Sequence, residues 1–191
     1  AIDQIEDAKI TSICDVVDER LADRGKLART DKLYTDFNKM LDKEELDAVW
    51  ICTPPSVRVE PIEICLDKSI PVFCEKPAAD KVETAKALAE KIENSPTPVA
   101  VGYVLRNMQI TQEVKDRIKD DKVSMLASTY GCPMTLNYQK GNARAPWFFK
   151  KEISGGAIID QATHMFDLMR YFLGDVEKIY SMGSNMFQPK T

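Results

Sequence analysis

The stretch that decides the fold is "SIPVFCEKPAADKVETAKALAEKIENSPTPVAVGYV", residues 69–104. Its first part, 69–77, is a short apolar run that predicts a β-strand, and 79–94 repeats apolar residues at helical spacing. "SPTP" then predicts a surface turn before a second apolar strand at 99–104. Strand, helix and strand in this order form a βαβ unit, whose strands run parallel in a sheet covered on both faces.

The same alternation extends upstream of this unit. Residues 9–15 and 46–53 predict two further strands, and the segments 17–28 and 58–68 are compatible with helices. After Tyr103 the pattern changes. A helix is expected in "TQEVKDRIKDDK", strands at 123–130 and 178–185, and a further helix around His164. We therefore expect two domains, residues 1–105 and residues 106–191.

Composition excludes several classes of function. The formal net charge is −4 with both signs interleaved, so the chain carries no basic stripe for nucleic acid. The longest apolar runs, such as "AVWIC", are too short to cross a membrane. The five cysteines form no C-x-x-C pair, which argues against a disulfide framework or a zinc site. A reducing, cytoplasmic location is expected.

Three predicted strands end alike, in "ICD" (13–15), "ICT" (51–53) and "FCE" (73–75). Ligands of open parallel sheets bind just beyond the carboxyl ends of the strands. Asp15, Thr53 and Glu75 are therefore expected along one edge of the sheet. Side chains alternate along a strand, so the cysteines are interpreted as small buried hydrophobic residues without chemistry.

Asp15 has two interpretations. An acid that ends the second strand of a dinucleotide-binding fold accepts hydrogen bonds from the adenosine ribose, but for Asp15 taken alone a helix-capping Asp at a strand end is the simpler interpretation. The glycine fingerprint of such folds lies about 20 residues before the acid. No glycine stands among the fourteen residues ahead of Asp15. Either the fold is a different one, or the chain begins after its phosphate loop.

His164 is the only histidine, and it follows Asp160 by one helical turn. On a helix, Asp160, His164, Asp167 and Tyr171 fall within one narrow arc opposite a broad apolar side. Taken alone, this arc is most simply interpreted as a solvated polar face. The motifs at 52–55 and 74–79 favour the opposite interpretation, in which a cleft faces this helix. One His and one Asp also fall short of the three protein ligands of a catalytic zinc, so no metal site is expected.

Three motifs together resemble the glucose–fructose oxidoreductase and inositol dehydrogenase (Gfo/Idh/MocA) family: "CTPP" (52–55), "CEKPAA" (74–79) and "SGGAIIDQATHMFDLMRYFLGDV" (154–176). The resemblance implies an α/β protein with an NAD(P)-binding Rossmann domain and a substrate domain with an open sheet. The expectation is an incomplete Rossmann-type parallel sheet followed by part of an α+β substrate domain. The first strand, the glycine loop and the end of the second domain are expected to be missing.

The resemblance also implies the roles of individual residues. Lys76, Asp160 and His164 correspond to the family's catalytic residues, and Thr53, Pro54, Glu75 and Lys76 to the residues that line the nicotinamide. Arg58 departs from the family, in which histidine is common at this position. Three further residues, Tyr103, Arg106 and Trp147, are candidates for the substrate pocket.

These residues suit the oxidation of an alcohol. The ordinary pKa of His164 lies near neutrality, so this side chain can act as general base. Lys76 can stabilise the developing alkoxide. Asp160 can hold the substrate hydroxyl or orient the histidine. The expected function is hydride transfer between a polyol, sugar or cyclic alcohol and the nicotinamide cofactor. The alternatives are a non-catalytic dinucleotide-binding regulator, and a glycosidase or dehydratase that uses NAD transiently.

Further expectations concern the cofactor, one peptide bond, the complete protein, these residues alone and the strand order. NAD is expected over NADP, because Asp15 would repel a 2′-phosphate and Val16 and Val17 offer no cation. The Lys76–Pro77 bond is expected to be cis, because cis costs little before proline. The complete protein is expected to form homo-oligomers, whereas these residues alone are expected to bind NAD poorly and to be inactive. Finally, the strand order 3-2-1-4 places the missing first strand between the strands at 9–15 and 46–53.

Overall fold

The computed structural model describes residues 5–131, 150–156 and 158–184. Strands and helices alternate through its first half, as the sequence predicts. The main elements, in chain order, are β1 (Ile13–Cys14), α1 (Asp18–Ala28), β2 (Leu33–Tyr34), α2 (Phe37–Lys43), β3 (Val49–Ile51), α3 (Val59–Asp67), β4 (Val72–Cys74), α4 (Val82–Glu93), β5 (Val99–Val101), α5 (Gln109–Arg117), α6 (Lys151–Ser154) and α7 (Thr163–Leu173). The described residues also contain two short 3₁₀ helices, Pro55–Val57 and Val104–Asn107, and a π-helical turn, Ile158–Ala162.

The strands form two parallel sheets. β1 pairs with β2, while β3, β4 and β5 pair in that order, with Val49 opposite Val72 and Val72 opposite Val99. In the described part of the chain β1 and β3 are not paired with each other. The predicted order 3-2-1-4 places a further strand between β1 and β3. The break between the two sheets lies at this position.

The core lies between the three-stranded sheet and its helices. Ile62 and Cys65 of α3 and Leu88 of α4 are almost completely buried, and they pack with Val72 and Cys74 of β4. Both helices carry apolar residues at helical spacing on one face, which is the pattern that predicted them. The core therefore fixes the positions of β3 and β4, whose carboxyl ends carry the predicted site residues.

The sequence analysis did not predict β2 and α2. A two-residue strand is too short to show any periodicity, and its pairing with β1 defines it. A local signal was present for α2, because Asp36 accepts hydrogen bonds from the backbone N–H groups of Asn38 and Lys39 as a helix N-cap. The buried residues Met40 and Leu41 of this helix join the core.

Two strand predictions in the second half were wrong. Residues 123–130 and 178–184 have no regular secondary structure, and position 185 lies outside the described residues. A strand is stabilised by hydrogen bonds to a neighbour, and neither segment is paired in the described part of the chain. Their apolar side chains are exposed, among them Met125, Tyr180 and Met182. No helix in the described ranges is long and apolar enough to cross a membrane.

Leu88 and Leu27 provide a matched test of this core. Leu88 is 2% exposed and Leu27 is 66% exposed, and both lie on helices of the first half. We expect Leu88→Ala to lower the free energy of unfolding by about 2–5 kcal/mol, because it leaves a cavity. Leu27→Ala is expected to change it by less than about 0.5 kcal/mol. Urea denaturation of both variants measures these values, and equal costs would contradict the described core.

Candidate functional site

Parallel pairing brings the predicted cofactor residues to strand ends. Glu75 follows β4, and its backbone N–H donates to the Ile51 carbonyl at the end of β3 (2.9 Å). Thr53 and Pro54 lie just beyond that end, where Pro54 precedes the 3₁₀ helix Pro55–Val57. Thr53, Pro54, Glu75 and Lys76 therefore occupy two neighbouring loops at one edge of the three-stranded sheet.

Asp15 follows β1 at the carboxyl end of the other sheet. Its Oδ1 accepts from the backbone N–H of Val17 (2.9 Å), and its Oδ2 pairs with Nε of Arg20 (2.9 Å). Its carboxylate is thus fixed just before α1, but it caps no helical N–H group, because the N-cap of α1 is Val17. The sequence analysis missed Arg20, although its place in the first turns of α1 was a signal that it could reach back to Asp15.

A glycine pair introduces the segment that contains Asp160 and His164. Gly155 (φ 78°) and Gly156 (φ 90°) both adopt the left-handed conformation that favours glycine. A Cβ atom on Gly155 would lie 3.0 Å from Cγ2 of Ile159. The hydroxyl of Ser154 accepts from the backbone N–H of Gly156 (3.0 Å) and so closes the turn. The π-helical turn with Asp160 begins directly after it.

The ion pair between Lys76 and Asp160 joins this segment to the strand ends. Lys76 Nζ lies 3.3 Å from Asp160 Oδ1, and it also donates to the main-chain carbonyl of Asp160. The two side chains are only 12% and 5% exposed. Two motifs separated by 84 positions in the sequence therefore meet in one buried contact. The Lys76–Pro77 peptide bond is cis, which confirms that prediction.

The second carboxylate oxygen of Asp160 is also occupied. Gln161 Nε2 donates to Asp160 Oδ2 (2.7 Å), and Tyr130 donates through its hydroxyl to Gln161 Oε1 (3.1 Å). Sequence reasoning passed over both residues. The position of Gln161 next to Asp160 was a weak signal, and nothing in the sequence indicated Tyr130. These bonds fix the orientation of the carboxylate that faces Lys76.

The interpretation of the His164 helix as a solvated polar face is wrong. Asp160 is 4% exposed, whereas Phe166 on the apolar side is 54% exposed. The polar arc is turned inward because two cations from earlier in the chain meet its carboxylates: Lys76 for Asp160, and Arg106 for Asp167. Pairing with a cation offsets the cost of removing a carboxylate from water. Helical periodicity alone cannot reveal whether such a partner is present.

His164 is half-buried beside Tyr103. The two rings are perpendicular, with their centroids 6.4 Å apart. Burial lowers the pKa of the imidazole, and the positive charge of Lys76 lowers it further, while the carboxylates of Glu75, Asp160 and Asp167 oppose this shift. His164 is therefore neutral at pH 7, the form that can accept a proton.

The predicted substrate-pocket residues have different surroundings. Tyr103 contacts His164, and its hydroxyl lies 3.4 Å from Thr163 Oγ1. Arg106 is held by Asp167 through two parallel bonds of 2.7 and 2.6 Å. Trp147 lies outside the described residues. Among the three, only Tyr103 is shown next to the predicted general base.

Three buried side-chain atoms in the described part of the chain lack a hydrogen-bond partner: Thr53 Oγ1, Arg58 Nε and His164 Nδ1. All three belong to residues of this region. Because buried polar atoms are almost always hydrogen-bonded in proteins, the unpaired atoms of Thr53 and His164 fit a site completed by polar ligand atoms. The amide of a nicotinamide ring and the hydroxyl of an alcohol both supply such atoms. The residues present therefore fit the implied cofactor.

The cysteines near the site are not nucleophiles. Burial raises the pKa values of the Cys65 and Cys74 thiols to about 11, so both are protonated at neutral pH. Cys52, expected to be buried, is exposed, because β3 ends one residue before it. Cys132 lies outside the described residues. In the described ranges no cluster of His, Cys, Asp and Glu could hold a metal ion.

Comparison with known proteins identifies the class of this chain. Residues 1–103 match the family model of the Gfo/Idh/MocA oxidoreductases with an NAD-binding Rossmann fold. Residues 112–191 match the Gfo/Idh/MocA C-terminal domain. The chain therefore belongs to the Gfo/Idh/MocA family, and its first half to the family's NAD-binding Rossmann domain.

Individual relatives are dehydrogenases. The chain is 25% identical over 181 residues to myo-inositol 2-dehydrogenase of Thermotoga maritima, covering 94% of this chain and 52% of the relative. It is 29% identical over 177 residues to scyllo-inositol 2-dehydrogenase (NAD⁺) of Bacillus subtilis, covering 91% and 48%. The fold matches the WlbA dehydrogenase of Bordetella pertussis, solved with NADH and UDP-GlcNAcA. The TM-score is 0.76 at 24% identity, covering 92% and 51%. The chain spans about half the length of these relatives.

The single histidine allows a direct test of the site's electrostatics. We expect His164 to titrate below its ordinary pKa of about 6.5 and Lys76→Met to raise that pKa, because the substitution removes a nearby positive charge. Lys86→Met, on the exposed face of α4, should leave it unchanged. The imidazole proton signal in NMR reports the titration. An identical pKa in wild type and Lys76→Met would show that the two residues do not share a pocket.

Proposed function

We propose that the native protein carrying this chain is an NAD-dependent oxidoreductase. It would transfer hydride between a polyol, sugar or cyclic alcohol and the nicotinamide cofactor. The observation that carries this proposal is the contact of Lys76 with Asp160, beside His164, at the carboxyl ends of β3 and β4. That edge is where open parallel sheets bind their ligands. Membership of the family and the names of its relatives supply the reaction class.

A bound nicotinamide would supply the hydride acceptor for the oxidation of the carbinol carbon. Thr53 and Pro54 on one loop, with Glu75 and Lys76 on the next, would line the nicotinamide side of the cofactor. The buried hydroxyl of Thr53, which lacks a partner in the described structure, is suited to bond the ring's amide. Asp15 would bind the adenosine ribose, with Arg20 fixing its carboxylate.

His164 would remove the proton of the substrate hydroxyl. Its neutral imidazole accepts the hydroxyl proton as hydride leaves the carbon, so a C=O bond forms while the O–H and C–H bonds break. Lys76 stabilises the negative charge that develops on the oxygen. Asp160 accepts from Lys76 and so orients the ammonium group, and Tyr103 and Arg106 would lie toward the substrate. Trp147, which lies outside the described residues, stays a candidate for substrate binding from the sequence alone.

The two alternative functions are less well supported. A regulator that only binds dinucleotide has no need for a buried Lys76–Asp160 pair next to a neutral His164. No contact in the described structure favours a glycosidase or dehydratase that uses NAD transiently.

The four described cysteines are free, which agrees with a cytoplasmic location. We further propose a division into two domains near residue 105 and a homo-oligomeric native protein.

Substitution of the catalytic residues tests the reaction. In the native protein, Lys76→Met and His164→Asn should each lower kcat by about 10²–10⁴-fold, the usual contribution of a positioned acid–base group. Lys86→Met is the matched control and should leave kcat unchanged. NADH absorbance with a panel of polyols and sugars provides the measurement. Near-normal turnover in His164→Asn would remove this residue from the mechanism.

The pH profile supplies an independent check of the general base. Because His164 must be neutral to accept a proton, kcat/KM for alcohol oxidation should rise with pH. The midpoint should lie below the ordinary pKa of about 6.5, since burial and Lys76 lower the pKa in the folded protein. Lys76→Met should move that midpoint upward. A profile that stays flat between pH 5 and 8, where an ordinary histidine titrates, would argue against His164 as the base.

Asp15 should determine the choice of cofactor. The wild type is expected to prefer NAD over NADP in kcat/KM, because the carboxylate repels a 2′-phosphate. Asp15→Ser removes that repulsion and releases Arg20, so the preference should fall by about tenfold or more. Asp18→Ser, which changes an exposed acid at the start of α1, is the control. A wild-type preference for NADP would contradict the assignment.

A further inference from the structure

Arg58 is the most deeply buried cation in the described part of the chain, with 2% of its surface exposed. It lies where the 3₁₀ helix after β3 leads into α3. Its guanidinium donates to three main-chain carbonyls: those of Glu75 (2.6 Å), Pro77 and Thr53. These carbonyls belong to the two loops that carry the proposed nicotinamide-binding residues.

The chemistry of these contacts requires an arginine. A guanidinium presents five N–H donors in a rigid planar fork and stays charged at any physiological pH. Carbonyl dipoles stabilise this charge, and no carboxylate forms an ion pair with Arg58 among the described residues. A neutral imidazole has a single N–H donor and could serve only one of the three acceptors. Arginine in place of the histidine common in the family therefore allows this position to bond three carbonyls at once.

The consequence lies in the geometry of the site. The loop after β4 turns from Glu75 to Pro77 around Lys76, and Arg58 bonds the carbonyls on both sides of that lysine. Its third bond ties the same loop to Thr53 on the neighbouring strand end. One side chain thus sets the spacing between the loop that presents Lys76 and the loop that presents Thr53.

We propose that Arg58 is a positioning residue, which acts on hydride transfer by holding Lys76 and Thr53 in their catalytic arrangement. This inference rests on the proposed function of the site. Misplacing a reacting group by about 1 Å can cost about 100-fold in rate, even when the change lies outside the chemistry. Arg58 touches neither the substrate nor the cofactor in this proposal.

Hydrogen exchange tests the positioning without any activity. Arg58→Met keeps the bulk of the side chain but removes the donors, and Arg58→Lys keeps the charge but not the planar fork. Both should raise exchange in 53–58 and 75–79, by about tenfold or more at the protected amides of Val57 and Glu75. Leu88→Ala, a core variant that leaves the guanidinium and its three acceptor carbonyls in place, controls for general destabilisation and should not raise exchange selectively in these loops.

Kinetics of the native protein test the effect on catalysis. Arg58→Met should lower kcat about 100-fold while KM for the alcohol stays within about twofold. The reason is that Lys76, which Arg58 positions, stabilises a charge that develops only in the transition state. Arg58→Lys should recover part of kcat. Leu88→Ala, assayed below its unfolding temperature, should retain wild-type kcat.

Each outcome decides the proposal. Selective loop exchange together with a fall in kcat supports it. Wild-type exchange in either folded variant, or wild-type kcat despite increased exchange, overturns it. Should Arg58→Met not fold, Arg58→Lys decides by the same criteria. A wild-type protein that oxidises no alcohol would contradict the proposed function and with it the catalytic role of Arg58, while the exchange data would still report whether Arg58 holds the loops.

Discussion

The buried ion pair of Lys76 with Asp160 is the interaction on which the site depends. Neither group would be stable alone at this depth, because an unpaired charge removed from water is costly. Each therefore requires the other, although they lie in segments that match different domains of the family. The glycine turn at 155–156 and the loop after β4 both serve this contact, since they deliver the two partners to one place.

The same contact accounts for the state of His164. Its imidazole shares the pocket with a cation, and burial and that cation act in the same direction on its pKa. Such surroundings favour the neutral form of the imidazole, which a general base needs near pH 7. Arg106 and Asp167 add a second ion pair further along the helix, so its polar arc is held by cations at two points.

Much of the first half could be predicted from sequence, because its signals are local. Apolar periodicity identified α3 and α4, and strand ends identified Thr53 and Glu75. The second half was predicted less well. The stretch 123–130 suggested a strand, but strands depend on partners that a local stretch of sequence cannot provide. Likewise, the inward orientation of Asp160 depends on Lys76, 84 positions away. Arg58 was visible as a departure from the family, but its three acceptors only became apparent from the fold.

A double-mutant cycle on Lys76 and Asp160 tests this account most directly. The free energies of unfolding of Lys76→Met, Asp160→Asn and the double variant give the coupling between the two side chains. The buried contact predicts a favourable coupling of about 1 kcal/mol or more, well above the few tenths expected for the exposed pair Arg170–Asp175 measured in the same way. A coupling near zero would show that Lys76 and Asp160 do not meet, and the site described above would not exist.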